Sequence, residues 1–271
     1  MRLPFLKMQA LGNDFVLVDA RTTPVSLSPA QCVHLADRKR GIGCDQIVVL
    51  EPSQNAAVFM RIANADGSAS GACGNATRCV AMRIMQETGA TETHIETTAG
   101  VLVCRAAEEG IAVDMGTPAR DWRAIPLCEP RDTLHLALGP WPLADGVAVN
   151  VGNPHVVFFV PDLETVALEE LGPLVEHDPL FPERVNVGFV HVEAADAIGL
   201  RVWERGVGPT EACGTAACAA LVASALRGVT GRSATVSQPG GCLRITWDAR
   251  DHVIMAGRAD FVYEGVIDVD A

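Results

Sequence analysis

The sequence predicts an α/β fold built from two similar halves, each with its strands gathered around one helix. Three observations lead there. A 20-residue stretch from Met60 reappears from Leu200, short β-branched runs recur in the same order in both halves, and each half has one clear helix opening directly after a cysteine. The 271 residues, 49% apolar and 20% charged, suffice for two modest domains with ordinary cores.

The repeat sets the frame. "MRIANADGSASGACGNATRC" aligns with "LRVWERGVGPTEACGTAACA", so Arg61 meets Arg201 and Ala72-Cys73-Gly74 meets Ala212-Cys213-Gly214, at an offset of 140 residues. The same offset carries Gly12-Asn13 onto Gly152-Asn153 and Gln46 onto Asn186 without a gap. Downstream, one inserted residue pairs "TAGVL" with "PGGCL", Gly100 with Gly241. Amide side chains and an Ala-Cys-Gly triplet in one frame mark an internal repeat.

The elements follow in order. The N-terminal "MRLPFLKMQALGNDF" lacks a sustained apolar core and a small-residue cleavage site, and reads as a first strand rather than a signal peptide. "FVLVD", "QIVVL", "HVVFFV", "VNVGFV" and "LRVW" have the length and β-branched content of strands. "GNATRCVAMRIMQETG" reads as a helix closed by Gly89, and "GTAACAALVASALRG" as one closed by Gly228. The second carries no charge from Gly214 to Leu226, which predicts a helix buried on all sides. "GTPARDWRAIP", Gly116 to Pro126, is the expected link, and two such lobes facing one another would form a cleft.

The bulk numbers exclude several classes. A net charge of −12 argues against nucleic acid or an anionic membrane surface as partner. No run approaches the roughly 18 apolar residues of a membrane span. Nine cysteines, an odd number without a Cys-x-x-Cys pair, fit free thiols in a reducing cytosol. Dinucleotide and Walker motifs are absent, and Lys7 and Lys39, the only lysines, suggest no pyridoxal-phosphate site. No cofactor is expected.

The chemistry lies at the helix starts. The first N–H groups of a helix lack partners, and its dipole adds positive potential there. A thiol at such a place is expected to have its pKa lowered from about 8.5, and the same donors hold carboxylates. Cys73 and Cys213 therefore each pair a reactive thiol with an anion cradle. Two such sites suit removal of a proton from one face of a carbon and delivery to the other, next to a carboxylate. Cys32, Cys79, Cys104, Cys128, Cys218 and Cys242 read as small core residues. A zinc site is disfavoured by the Cys-x5-Cys and Cys-x4-Cys spacings, and a redox pair of Cys73 and Cys213 is the other reading of those two thiols.

The halves also differ. Glu204 stands opposite Asn64, Arg205 opposite Ala65 and His155 opposite Phe15. Glu204 suits an ammonium and Arg205 a carboxylate. His155 reads equally as a core histidine, and Arg38 to Arg40 as a solvated charge run.

"LGNDFVLVD", "GIGCDQ", "RIANADGS", "ACGNATR", "GNPHVVFF", "FPERVNVGF" and "VWERGVGPTEACGTAACA" together closely resemble the diaminopimelate epimerase family over nearly the whole chain. The resemblance implies a cytoplasmic, cofactor-independent isomerase that converts LL-diaminopimelate to the meso form in lysine and cell-wall precursor synthesis, and that works as a homodimer. It implies two pseudo-symmetric α/β domains, each a curved, mostly antiparallel sheet around a central helix, with the active site in the cleft between them. One lobe would be residues 1–118 with 261–271 returning to it, the other 119–260.

Carried onto matching positions, Cys73 and Cys213 would be the acid/base pair. Gly74, Asn75, Gly214 and Thr215 would hold the reacting carboxylate. Asn13, Gln46, Asn64, Asn153, Asn186 and Arg205 would line the rest of the substrate, with His155 and Glu204 by the α-amino group. The chain departs from the family pattern at Ala76-Thr77 and Ala216-Ala217, where a glycine and an alanine are usual, so substrate fit is expected to differ slightly. A thiol redox protein and a non-catalytic amino-acid binding module are the competing functional classes.

Overall fold

In the computed structural model, residues 1–71 and 73–269 are described. Ala72 of the repeated triplet and the last two residues of the expected returning segment lie outside them. The chain divides into two compact units, one of Met1–Val113 with the segment from Gly257 onward, the other of Asp114–Ala256.

The first unit runs β1 (Arg2–Ala10), β2 (Asn13–Asp19), α1 (Pro29–Ala36), β3 (Gln46–Glu51), β4 (Val58–Asn64), β5 (Ala69–Ser70), α2 (Gly74–Thr88), β6 (Glu92–Thr97), β7 (Gly100–Ala107) and β8 (Gly110–Asp114). The second repeats that order with β9 (Gly146–Asn150), β10 (Pro154–Phe159), α3 (Leu168–Glu176), β11 (Asn186–Ala194), β12 (Ala197–Glu204), β13 (Gly208–Thr210), α4 (Gly214–Leu226), β14 (Ser233–Gln238), β15 (Gly241–Trp247) and β16 (Val253–Gly257). The last strand, β17 (Asp260–Asp268), pairs antiparallel with β1. Among the described residues, no helix is long and apolar enough to cross a membrane.

Strand pairing repeats as faithfully as sequence. β2 and β3 run parallel with Phe15 opposite Gln46, while β10 and β11 run parallel with His155 opposite Asn186. β3–β4 and β11–β12 are antiparallel, and β4–β6 and β12–β14 are parallel. Most pairings are antiparallel, and both units are mixed α/β.

The strands with continuous apolar runs are covered on two faces. A strand buried on one face alternates, as β6 does; one buried on both need not. β3 is buried from Ile47 to Leu50, with α1 packed against it and Leu35 and Cys32 in the same cluster. In the second unit α4 packs on strands β9 to β12, β14 and β15, and every residue from Ala216 to Ser224 is buried. Its alanines let the surrounding strands approach closely. α3 covers the other face; at Gly172 an added Cβ would stand 2.4 Å from the Trp203 ring. α2 ends at Gly89, left-handed at φ 71°, as the sequence suggested. α4 ends at Leu226, and Gly228, at φ 68°, supplies the left-handed residue just beyond the cap.

Two cysteines read as core are not. Cys128 and Cys242 are exposed: Cys242 alternates with the inward Leu243 on β15, and Cys128 follows the buried Leu127 in a loop. None of the nine cysteines is in a disulfide. The expected link, Gly116 to Pro126, packs on the second unit, with Ala119 bridged to Asn150 and Ile125 in its core.

Candidate active site

In the first unit β2, β3 and β4 bring Asn13, Gln46 and Asn64 to neighbouring strand ends, and α2 is the next element after β5. Cys73 is the N-cap of that helix, extended at φ −148°, and its sulfur accepts the Ala76 N–H at 3.5 Å. The same sulfur donates to Asn13 Oδ1 at 3.8 Å, which also accepts Asn75 Nδ2 at 3.3 Å. Asn13 Nδ2 donates in turn to Asp45 Oδ2 at 2.9 Å. Arg38 is exposed, as expected of a solvated run, and also binds Asp14 and Asp45, each at 2.8 Å. Burial alone would raise the Asp14 carboxyl, but its bonds to Arg38 and the buried Lys7 hold it well below the carboxylate range.

Gln46 and Asn64 form a second group. Gln46 Nε2 donates to Asn64 Oδ1 at 2.9 Å, and Asn64 Nδ2 to Ser68 Oγ at 3.0 Å. Gln46 Oε1 is buried without a hydrogen-bond partner. An orphan acceptor costs about 1–3 kcal/mol.

The second unit has a different electrostatic character. Cys213 caps α4, and its backbone N–H donates to Gln238 Oε1 at 2.8 Å. Its sulfur lies 3.5 Å from the Thr215 hydroxyl and is hydrogen-bonded to the Glu204 carboxylate. Burial, then the Glu204 charge, pushes this thiol well above its ordinary range, against the lowering expected from a helix start. A dipole effect of at most a few kcal/mol is overridden by desolvation of a fully enclosed sulfur beside an anion. Cys213 rests protonated. Glu204 is itself raised by burial, partly offset by hydrogen bonds from Thr210, at 2.5 Å, and Cys213.

His155, on β10, is 1% exposed, and burial followed by the nearby Arg205 charge lowers its pKa to about 3. It is therefore neutral, and Nε2–H donates to Asn153 Oδ1 at 2.8 Å. Asn186 uses both ends of its amide, donating to Pro154 O at 2.8 Å and accepting Arg205 N–H at 3.0 Å, so it shapes the turn that presents Arg205. The Arg205 guanidinium also binds Glu183 O at 2.9 Å.

Each unit thus gathers its own share of the expected residues: Asn13, Cys73, Gly74 and Asn75 with the Gln46–Asn64 pair in one, and Asn153, His155, Asn186, Glu204, Arg205, Cys213, Gly214 and Thr215 in the other. Sequence reasoning missed Asp45, Thr210 and Gln238. Asp45 and Thr210 lie inside the motifs "GIGCDQ" and "VWERGVGPTEACGTAACA", which was the signal available, whereas Gln238 reaches Cys213 from β14 and no motif marks it. Among the described residues, no group of three metal-ligating side chains stands together.

A family model for diaminopimelate epimerase matches this chain twice, at residues 5–120 and 147–262. The chain belongs to the diaminopimelate epimerase family. It is 52% identical to the diaminopimelate epimerase of Acidiphilium cryptum over 98% of this chain and 96% of that one. It is 51% identical to that of Erythrobacter litoralis, over 99% and 98%. Among solved structures, a Bacillus anthracis phenazine biosynthesis protein of the PhzF family shares the fold, with TM-score 0.68 and 18% identity over 99% of this chain and 100% of that one. Against the family pattern, Thr77 is fully buried and its hydroxyl donates to the Cys73 carbonyl at 2.8 Å, so the extra bulk braces the cap from inside the helix. This member of the family is an isomerase.

The depressed His155 carries a pH signature. The unfolded chain takes up a proton below about 6.5 that the folded chain refuses until about 3. Stability from this group is complete above 6.5 and is lost as pH falls, at up to about 1.4 kcal/mol per unit. His155→Phe, the residue of the matching position Phe15, should lose less stability than wild type in urea midpoints between about pH 6 and about pH 4; parallel losses would contradict the assignment.

Proposed function

We propose that this isomerase inverts one α-carbon of LL-2,6-diaminopimelate to give the meso form, with Cys73 and Cys213 as its two bases. The observation that carries the reading is that both thiols are N-caps of equivalent helices in a chain of the diaminopimelate epimerase family. In the forward step Cys73, as thiolate, takes the α-proton, and the new S–H meets the Asn13 carbonyl. Cys213, protonated at rest, delivers its own proton to the opposite face of the carbanion. The substrate gains and loses one proton, and the two cysteines exchange protonation states, which solvent restores.

The helix-start N–H groups at Gly74-Asn75 and Gly214-Thr215 receive the α-carboxylate, where developing negative charge is best stabilised. Gln46, Asn64, Asn153 and Arg205 take the remaining polar groups, Glu204 the ammonium. Neutral His155 holds Asn153 rather than carrying charge. No step needs a cofactor. The family likeness supports a cytoplasmic enzyme of lysine and cell-wall precursor synthesis. It also supports a homodimer, for which β17 offers a surface: an edge strand whose Phe261, Val262, Tyr263 and Val266 are exposed.

Two measurements test this. Reduced protein incubated with LL-diaminopimelate in deuterium oxide should form the meso isomer with deuterium at a single α-carbon, by NMR. Cys73→Ala and Cys213→Ala should each lose epimerisation by at least about a thousandfold, since one thiol cannot serve both faces; near-normal turnover in either would refute the scheme. Light scattering should give a two-chain species that Val266→Glu converts to one chain, and a monomeric wild type would remove the dimer.

A further inference from the structure

Two asparagine amides beside Cys73 are joined in a hydrogen-bond chain that can run in one direction only. Arg78 NH2 donates to Asn75 Oδ1 at 2.9 Å, Asn75 Nδ2 to Asn13 Oδ1 at 3.3 Å, and Asn13 Nδ2 to Asp45 Oδ2 at 2.9 Å. The ends decide the sense. A guanidinium only donates and a carboxylate only accepts, so neither amide can turn over without setting two donors or two acceptors face to face.

Both ends are anchored. Arg78 is fully buried on α2, and its Nε also reaches the Arg258 carbonyl at 3.4 Å. Asp45 accepts Arg38 NH2 on its other oxygen at 2.8 Å and the Asp14 N–H at 3.0 Å. Asp14 is in turn paired with the buried Lys7 at 2.7 Å. Asn75, 4% exposed, has little room to find another partner.

We propose that Arg78 and Asp45 are positioning residues that lock Asn75 and Asn13, so that Asn13 presents its carbonyl oxygen, and never its N–H, to the Cys73 sulfur. An oxygen there accepts the S–H that forms when Cys73 takes a proton. A flipped amide would aim N–H at the sulfur, favour the thiolate and oppose that step.

The second unit has no such chain. At the positions matching Asn75, Arg78 and Asp45 stand Thr215, Cys218 and Val185. There Asn153 Oδ1 faces His155 Nε2 at 2.8 Å, and a neutral ring nitrogen can either donate or accept. The repeat supplies the same residue twice, and only at Asn13 do charged ends fix which way the amide faces.

The inference rests on Cys73 as a proton-transfer group, and its test keeps the two claims apart. Asp45→Asn, at a partly exposed side chain, replaces a one-way acceptor with a group that pairs with either end of Asn13. In protein carrying isotope-labelled asparagine, the side-chain amide signals of Asn13, identified by their loss in Asn13→Ala, should be a single set in wild type and should double or shift in Asp45→Asn. With unchanged thermal unfolding, kcat should fall about tenfold while KM stays within about twofold. Unmoved Asn13 signals overturn the lock whatever happens to activity. Moved signals with unchanged kcat overturn its role at Cys73. The NMR arm needs no turnover, so an inactive wild type would sink the proposed reaction and leave the lock judged by its own signals.

Discussion

The start of an α-helix leaves backbone N–H groups with nothing to bond, and in each unit the candidate residues depend on how that deficit is met. At α2 and α4 the capping residue is a cysteine rather than the serine or aspartate that usually fills the position. A cysteine caps weakly: the Ala76 N–H stands 3.5 Å from the Cys73 sulfur, and the Cys213 side chain makes no cap bond that defines the turn. The positions are held by other bonds: Gln238 accepts the Cys213 backbone N–H from β14, and the Thr77 hydroxyl, inside α2, donates to the Cys73 carbonyl. The helix-start donors thereby stay available for a carboxylate.

Burying each helix keeps those donors in place. α4 is enclosed by strands on nearly every side, and α2 buries its N-terminal two-thirds. α1 and α3 cover a second face, and the central residues of β2, β3, β10 and β11 are buried. Identical backbone frames then receive different side chains. Glu204 and Thr215 stand beside the second capping thiol, while Asn13, linked to Asn75 and Asp45, stands beside the first. The two thiols start alike and end unlike because of what stands beside them.

The repeat, both helices, the five strands chosen for their β-branched runs and the two capping cysteines were legible from residues alone, since each is a local or periodic signal. The roles of Asp45 and Gln238 were not: Asp45, though inside "GIGCDQ", acts through Asn13, and Gln238 reaches the Cys213 backbone from β14. The expected lowering of both thiol pKa values failed at Cys213, where a purely local rule met burial and a charge that arrives through β12. Arg38 is a solvated charge as expected, 57% exposed, but its pairing with Asp14 and Asp45 was not legible, because folding brings those partners to it.

The central claim is that Cys213 rests as a thiol because of its enclosure and the Glu204 carboxylate. The direct measurement is the pH dependence of alkylation at Cys213, resolved from other cysteines by peptide mass spectrometry, in wild type and Glu204→Gln. The midpoint of the profile, which reads ionisation rather than access, should lie well above the ordinary thiol value of about 8.5 in wild type and fall in the variant. A wild-type midpoint at or below that value, or one that Glu204→Gln leaves in place, would contradict the account.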